Sequence, residues 1–280
     1  DAKLPLDQFV SFTISNAGVE QNINVIRMVA RYLDTASAFL AQIEMDDAKR
    51  EQLQLAIENF AWQQLQQAPA GSDAQKTWFA TFSSVAHTDK ALVAAQNLRR
   101  GELSIDGLKL DPDMRWNLIT LQNRNLFGDY VQAIENELAS DSSDRSQLNA
   151  IAAEAIRPTQ EAKAKWLDNI LVHRDQFKLA QLKYAASALF PTEQQDLYVA
   201  NLERIIAALD EVNSSDAPEL VGTYARLFPL NCSKDGVEKV GAMLDSGKQL
   251  NPLLEKALKE RRFKNQRCLN MAAAMQSNAG

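Results

Sequence analysis

Histidine, the residue that most hydrolase metal sites depend on, is scarce in this chain. There are two, His87 and His173, and neither belongs to an H-E-x-x-H pattern. A catalytic zinc ion takes three protein ligands, most of them histidine in hydrolases, so the sequence predicts no metal site here. Each histidine stands at the end of a predicted helix, and both are interpreted as surface residues.

Thiols are equally few, and Cys232 and Cys268 are the only cysteines. Neither has a histidine beside it, and no G-x-S-x-G turn is present, so the sequence does not predict nucleophilic catalysis. The two cysteines can lie close together if the last helix folds back on the preceding hairpin. They are then either two free thiols, as in a cytosolic protein, or a structural disulfide, as in an oxidising compartment.

Three further absences exclude other classes of function. Neither G-x-x-x-x-G-K nor G-x-G-x-x-G occurs, so no nucleotide cofactor is predicted, and we expect no cofactor in this chain at all. No run of apolar residues approaches the eighteen or so that a transmembrane helix needs. The formal net charge of -6 argues against a nucleic-acid surface, which requires a basic excess.

What the sequence does have is helical periodicity. Phe127, Tyr130, Val131, Ile134 and Leu138 follow the i, i+3, i+4 spacing of one helix face, and similar stripes recur along the chain. The ten Gly and eight Pro stand between these stripes rather than inside them. No segment alternates with period two for long enough to form a strand. The pattern therefore predicts an all-α protein.

Residues suited to helix starts divide the stripes. Asp111 followed by Pro112 is typical of a helix N-terminus, and Ser72 is a candidate N-cap. Ser233 or Asp235 is expected to cap a short helix that ends near Met243. A capping box formed by Thr192 and Gln195 predicts a helix that begins at Thr192. A last helix is predicted from about residue 251 to residue 275.

About a dozen helices joined by short turns favour a right-handed α-α superhelix of short antiparallel helix pairs, similar to HEAT and armadillo repeats. A compact helical bundle is the alternative. Residues 1–280 are expected to form a single helical-repeat domain. Three groups of residues are then interpreted as structural: the Asp111 and Asp113 carboxylates as helix caps, the basic residues of 256–267 as a solvated helix face, and the tryptophans as core (Trp62, Trp78, Trp116 and Trp166).

Several short segments within residues 75–191 also resemble a known family. They are Leu98-Arg99-Arg100-Gly101, Gly107-Leu108-Lys109-Leu110-Asp111, Arg115-Trp116 and Arg157-Pro158-Thr159-Gln160-Glu161-Ala162-Lys163. In order and spacing they resemble the C-terminal helical domain of aminopeptidase N-family zinc metallopeptidases, in a bacterial member, of the type shared with the endoplasmic-reticulum aminopeptidases. None of the segments is a catalytic motif.

The resemblance implies a chain whose neighbour performs the chemistry. In that family an upstream catalytic domain carries H-E-x-x-H, a distant Glu ligand and a G-x-M-E-N segment, none of which occurs in residues 1–280. The chain is then expected to be a C-terminal fragment of a larger enzyme, without activity of its own. Its partners would be the upstream catalytic domain, which would hold the zinc ion, and the peptide substrate in the chamber that the helical domain covers.

Two rival hypotheses stay open. One is a stand-alone helical-repeat adaptor that binds a partner protein, and the other is an enzyme with an unfamiliar site built on acidic residues and His87 or His173. The N-terminus has neither an initiator Met nor a signal-peptide pattern and is expected to be a boundary or a processed end. It leaves cytoplasm and bacterial periplasm or cell envelope equally open.

Overall fold

The computed structural model of the protein describes residues 4–215 and 217–277. Over these residues the chain forms fifteen α-helices, two short 3-10 helices and no β-strand, which confirms the predicted all-α fold. The α-helices are α1 Leu6–Ala17, α2 Ile23–Leu40, α3 Asp47–Gln67, α4 Asp73–Val85, α5 Asp89–Arg100, α6 Pro112–Arg124, α7 Tyr130–Ser140, α8 Asp144–Ala155, α9 Gln160–Leu171, α10 Leu179–Ala188, α11 Gln195–Ala207, α12 Leu209–Asn213, α13 Pro218–Tyr224, α14 Lys234–Leu244 and α15 Pro252–Ser277.

Most helix starts fall where the capping residues predict them. The Ser72 hydroxyl accepts a hydrogen bond from the Gln75 backbone N–H at 3.1 Å, and the Asp111 carboxylate accepts one from the Met114 N–H at 2.8 Å. Ser233, rather than Asp235, caps α14. These side chains satisfy backbone donors that the first helical turn leaves unpaired.

The predicted capping box at Thr192 and Gln195 is wrong. Helix α11 begins at Gln195, and Gln194 occupies the N-cap position without a side-chain cap. The amide of Gln194 instead donates to the Ile156 carbonyl at 2.8 Å, beyond the end of α8. A buried tertiary contact with a distant helix therefore decides the local geometry.

The first of two compact units runs from the N-terminus to Ala133 and includes the stretch from Met271 onward. Its consecutive helices pair as α1 with α2, α3 with α4, and α5 with α6, while α4 also packs against α2 and α6. The core takes most of its large side chains from the predicted stripes and includes Trp78 and Trp116, whereas Trp62, also predicted as core, is only half-buried. The other buried side chains of this core include Leu33, Leu40, Ile57, Leu65, Phe79, Phe82, Leu118 and Ile119.

The longest connection of this unit, between α5 and α6, packs closely on the turn between α3 and α4. Gln75 is buried and joins the two, because its amide nitrogen donates to the Asp106 carbonyl and its amide oxygen accepts from the Gly71 N–H, both at 2.8 Å. Gly107 has φ +73°, and a Cβ at this position would lie 2.5 Å from the Ala70 Cα. Only glycine fits this approach of two backbones.

The second unit is Ile134–Asn270. Helix α10 packs against α8 and α9, and α9 also contacts α11. Tyr224 is buried and its hydroxyl donates to the Ile205 carbonyl at 2.7 Å, so the phenol keeps a partner inside the core. Trp166 belongs to the same core, as predicted. The other large members include Leu167, Ile170, Leu189, Phe190, Tyr198, Leu202, Ile205, Leu227, Phe228, Leu254 and Leu258.

Candidate functional site: a polar groove on helices α2, α4 and α6

The outer face of α2, α4 and α6 carries a shallow polar groove in the first unit. One part of it lies between α2 and α4, has a volume of about 440 Å³, and is lined by Arg27, Arg31 and Asp34 of α2 and Lys76 of α4. The other part lies between α4 and α6 and measures about 330 Å³. Ala80 lines both parts, so they are neighbours on this face, and the two together are named the groove.

Helical spacing explains why these side chains share a face. Arg27, Arg31 and Asp34 stand at i, i+4 and i+7 of α2, whereas Ile26 and Leu33 of the same helix point into the core. On α4 the small residue Ala80 faces the groove, and its short side chain leaves open space between α4 and each of its neighbours, α2 and α6.

Asp34 is the most perturbed carboxyl of the groove. Burial raises its pKa to about 6, and the neighbouring Ser84 hydroxyl and the positive charge of Arg124 partly oppose that rise. Its Oδ1 atom is buried and has no hydrogen-bond partner in the described protein. A buried acceptor without a donor costs free energy, and a donor that reached this atom would remove that cost.

The cations of the groove differ in what they already bind. Arg27 pairs with Asp73 at 3.0 Å, and Arg124 donates to the Ser84 carbonyl at 2.7 Å and the Ala86 carbonyl at 3.3 Å. Arg31 stacks on the Tyr32 ring, 5.5 Å from its centroid.

Two of the groove's cations have no carboxylate partner. Within residues 4–215 and 217–277, neither Arg31 nor Lys76 forms an ion pair, and both side chains are exposed. This part of the groove therefore combines unpaired positive charge with a buried acceptor oxygen.

Of the two histidines, His173 is exposed as predicted, but His87 is only half-buried and not a free surface residue. Its Nδ1 lies 3.1 Å from the Val85 carbonyl oxygen and 3.2 Å from Glu58 Oε2. Glu58 also accepts from the backbone N–H groups of His87 and Thr88, at 2.8 and 3.0 Å, and from the Thr88 hydroxyl at 2.6 Å. This carboxylate orders the start of α5.

Glu58 was not singled out from the sequence, although one signal for it exists. It stands among Leu53, Ile57, Ala61 and Leu65, the buried face of α3, where an unpartnered carboxylate would be costly. The partner itself lies about thirty residues further on, in the linker after α4. No local pattern connects the two.

Cys232 and Cys268 form a disulfide in the structure, with their Cα atoms 5.4 Å apart. The bond ties the segment ahead of α14 to the middle of α15, where Cys268 is buried. The Asn231 N–H donates to the Asn265 side-chain oxygen at 3.0 Å beside it. A structural disulfide in solution stays a prediction.

The segments that carry the family resemblance have structural roles. Arg99 donates to Gln122 at 2.6 Å and pairs with Asp129 at 2.7 Å, and Arg100 reaches the same carboxylate at 3.2 Å. Burial opposes ionisation of Asp129, yet its bonds to these arginines and to Gln96 hold its pKa well below its usual range.

The later segment supplies Thr159, which caps α9, and Lys163, which is fully buried and donates to the Ala155 carbonyl at 3.0 Å. Both therefore support the packing of α8 and α9.

The basic residues of α15 are mostly exposed, and several pair with acids. Lys259 pairs with Glu255, and Arg262 lies 3.6 Å from Asp245. In the described part of the chain no three His, Cys, Asp or Glu residues come close enough together to hold a metal ion. Over the same residues, no helix has the length and apolar character needed to cross a bilayer.

Two comparisons with known proteins agree in what they match. The sequence model of the ERAP1-like C-terminal domain family matches residues 1–266. Aminopeptidase N of Streptomyces lividans is 29% identical over 277 residues, which are 98% of this chain and 31% of that protein. The chain thus spans about a third of the length of this curated relative.

Proposed function

Because this chain belongs to the ERAP1-like C-terminal domain family, we propose that it is the non-catalytic helical domain of a zinc-dependent aminopeptidase. In that enzyme it covers the catalytic domain and restricts the access of peptides to the chamber between them. About two thirds of the related aminopeptidase N lies outside the match, which is room enough for a catalytic domain. The family match includes residues of both compact units, which supports treating residues 1–280 as one domain.

The observation that carries the peptide-binding part of this proposal is the groove on α2, α4 and α6. Its free cations, Arg31 and Lys76, line the same part of the groove as Asp34, whose Oδ1 atom has no partner in the described protein. A peptide presents carbonyl oxygens, N–H groups and a terminal carboxylate, and such a groove can bind all three. If the groove binds the end of the peptide that is remote from the scissile bond, it would select peptides by length without taking part in the chemistry.

The zinc ion of the proposed enzyme would be bound by another part of the polypeptide. The two histidines of this chain belong to different units, His87 to the first and His173 to the second. Over the described residues no donor set of three is available to the ion. The residues present here do not fit a catalytic zinc site.

The test uses the whole polypeptide that the reading frame encodes. We expect an H-E-x-x-H segment ahead of residue 1, stoichiometric zinc, and hydrolysis of both amino-acid anilides and long peptides. Replacing Arg31 and Lys76 together by alanine should raise KM for long peptides by about threefold to tenfold, the range expected for two exposed charges, and leave anilide hydrolysis unchanged. The matched control is Lys264→Ala with Arg267→Ala, two exposed cations of α15.

Three results would contradict the proposal. The isolated 280-residue chain could hydrolyse anilides, which would restore the hypothesis of an enzyme built around His87 or His173. A reading frame without H-E-x-x-H would favour the stand-alone adaptor. An equal change for anilides and long peptides would show that the groove does not discriminate peptides by length.

A further inference from the structure

An apolar surface lies exposed on the first helix pair, away from the groove. Phe12 of α1 is 66% exposed, and Met28 and Tyr32 of α2 are 42% and 44% exposed. The Phe9 and Tyr32 rings meet edge to face with centroids 6.3 Å apart. Phe12 stands about one turn after Phe9 on α1, and Met28 one turn before Tyr32 on α2. These four residues form the α1–α2 surface.

On α2, the residues of this surface belong neither to the face that packs into the core nor to the face that lines the groove. Its core face carries Ile26, Ala30 and Leu33, and its groove face carries Arg31 and Asp34. Met28 and Tyr32 point in a third direction, roughly 100° around the helix from the groove face. Large apolar side chains that cluster on an exposed face mark an interaction surface more often than a free one.

We propose that the α1–α2 surface is the docking surface for the segment that precedes this domain in the longer polypeptide. The inference rests on the proposed function, because it assumes such a segment. A C-terminal domain that corresponds to 31% of its relative has the larger part of that protein ahead of it. Helix α1 is the first described helix, so a preceding segment joins the domain beside this surface.

The partner surface must then be apolar at its centre and must provide a hydrogen-bond acceptor for the Tyr32 hydroxyl. Arg31 stacks on the Tyr32 ring at the border of the surface, 5.5 Å from its centroid. This arrangement, an apolar centre with a polar edge, is the usual anatomy of a protein interface.

Hydroxyl-radical footprinting of the isolated chain and of the whole polypeptide tests the proposal directly. Phe12 and Met28 should be labelled about fivefold more slowly in the whole polypeptide, because an interface core is nearly inaccessible. Phe263 of α15 is 69% exposed and serves as the matched control, with rates that agree within about twofold. Equal rates for Phe12 and Met28 in the two proteins would overturn the proposal.

A pair of serine variants gives an independent measurement. Phe12→Ser should lower the melting temperature of the whole polypeptide by clearly more than that of the isolated chain, since the phenylalanine is 66% exposed in the chain by itself. Phe263→Ser should change neither. A Phe12→Ser effect of the same size in both proteins would show a role within the domain and would overturn the proposal.

Three more outcomes separate this proposal from the proposed function and from other occupants of the surface. Protection of Phe12 in a whole polypeptide that lacks zinc and peptidase activity would support docking and refute the aminopeptidase assignment. Zinc and activity without protection would do the reverse. Protection that depends on the concentration of the isolated chain would assign the surface to a second copy and overturn the proposal.

Discussion

Replacing Lys163 by methionine should remove a pH dependence from the stability of the folded chain. The side chain is fully buried among the residues around α8 and α9, where its ammonium donates to the Ala155 carbonyl and lies 5.8 Å from the centre of the Phe190 ring. Burial lowers the pKa of Lys163 from 10.5 to about 7, and the negative charge of Glu193 opposes this only in part.

The sign and size of the effect follow from proton linkage. Between pH 7 and 10.5 the unfolded chain holds a proton on Lys163 that the folded chain has released, so the free energy of unfolding rises with pH across this window. Below pH 7 both states hold the proton and this contribution is lost. From pH 7 to pH 9 the rise amounts to about 2 kcal/mol, at about 1.4 kcal/mol per pH unit once the folded-state amine is neutral.

Urea unfolding followed by circular dichroism at several pH values from 6 to 9 measures this rise. We expect the Lys163→Met variant to lack it, whatever its stability at a single pH. Lys165→Met is the matched control on the same helix, because Lys165 is half exposed and pairs with Glu154 at the surface. Burial raises the pKa of Tyr198 and of Tyr224, so neither titrates in this range. Parallel pH curves for wild type and Lys163→Met would refute the reasoning.

Two further perturbations address the turn geometry and the disulfide. Gly107→Ala should lower the free energy of unfolding by roughly 2–4 kcal/mol, because strain at positive φ adds to an overlap with the backbone of Ala70. Gly101→Ala is the control: Gly101 has φ +74° but open space around it, so the same unfolding assay should show a loss of only about 1 kcal/mol. Reduction of the Cys232–Cys268 bond should lower the free energy of unfolding by up to about 4 kcal/mol, because the bond closes a loop with a sequence separation of 36 residues. Equal stability with and without reductant would contradict a disulfide in solution.

Local signals in the sequence were sufficient for most of the fold. One predicted stripe, Phe127, Tyr130, Val131, Ile134 and Leu138, is not buried: Val131 is 45% exposed, and α7 buries Ala133 and Glu137 instead. Elsewhere periodicity located most of the core residues of both units, and Ser72, Asp111 and Ser233 marked helix starts that the structure confirms. Such features depend on residues within one or two turns, which a sequence displays directly. The capping box predicted at Thr192 is wrong for the opposite reason: the Gln194 side chain donates a hydrogen bond to the Ile156 carbonyl at the end of α8, a contact that no local pattern displays.

The candidate site was much harder to predict from the sequence. Arg31 and Lys76 belong to helices that are neighbours only after folding, and each looks like an ordinary surface cation in its own helix. Glu58 and His87 are likewise brought together by the packing of α3 against α4. The family segments were recognisable, yet their residues turned out to serve packing, as Arg99 and Lys163 do.

The close approach of the Gly107 and Ala70 backbones bears on what a search with these segments can find. The glycine, the buried Gln75 that joins the two turns, and the Asp111 cap together form a joint between successive helix pairs. This joint is formed entirely within the first unit, by residues 70–114. A motif drawn from residues 98–116 would thus detect the helical scaffold and carry no information on a catalytic domain.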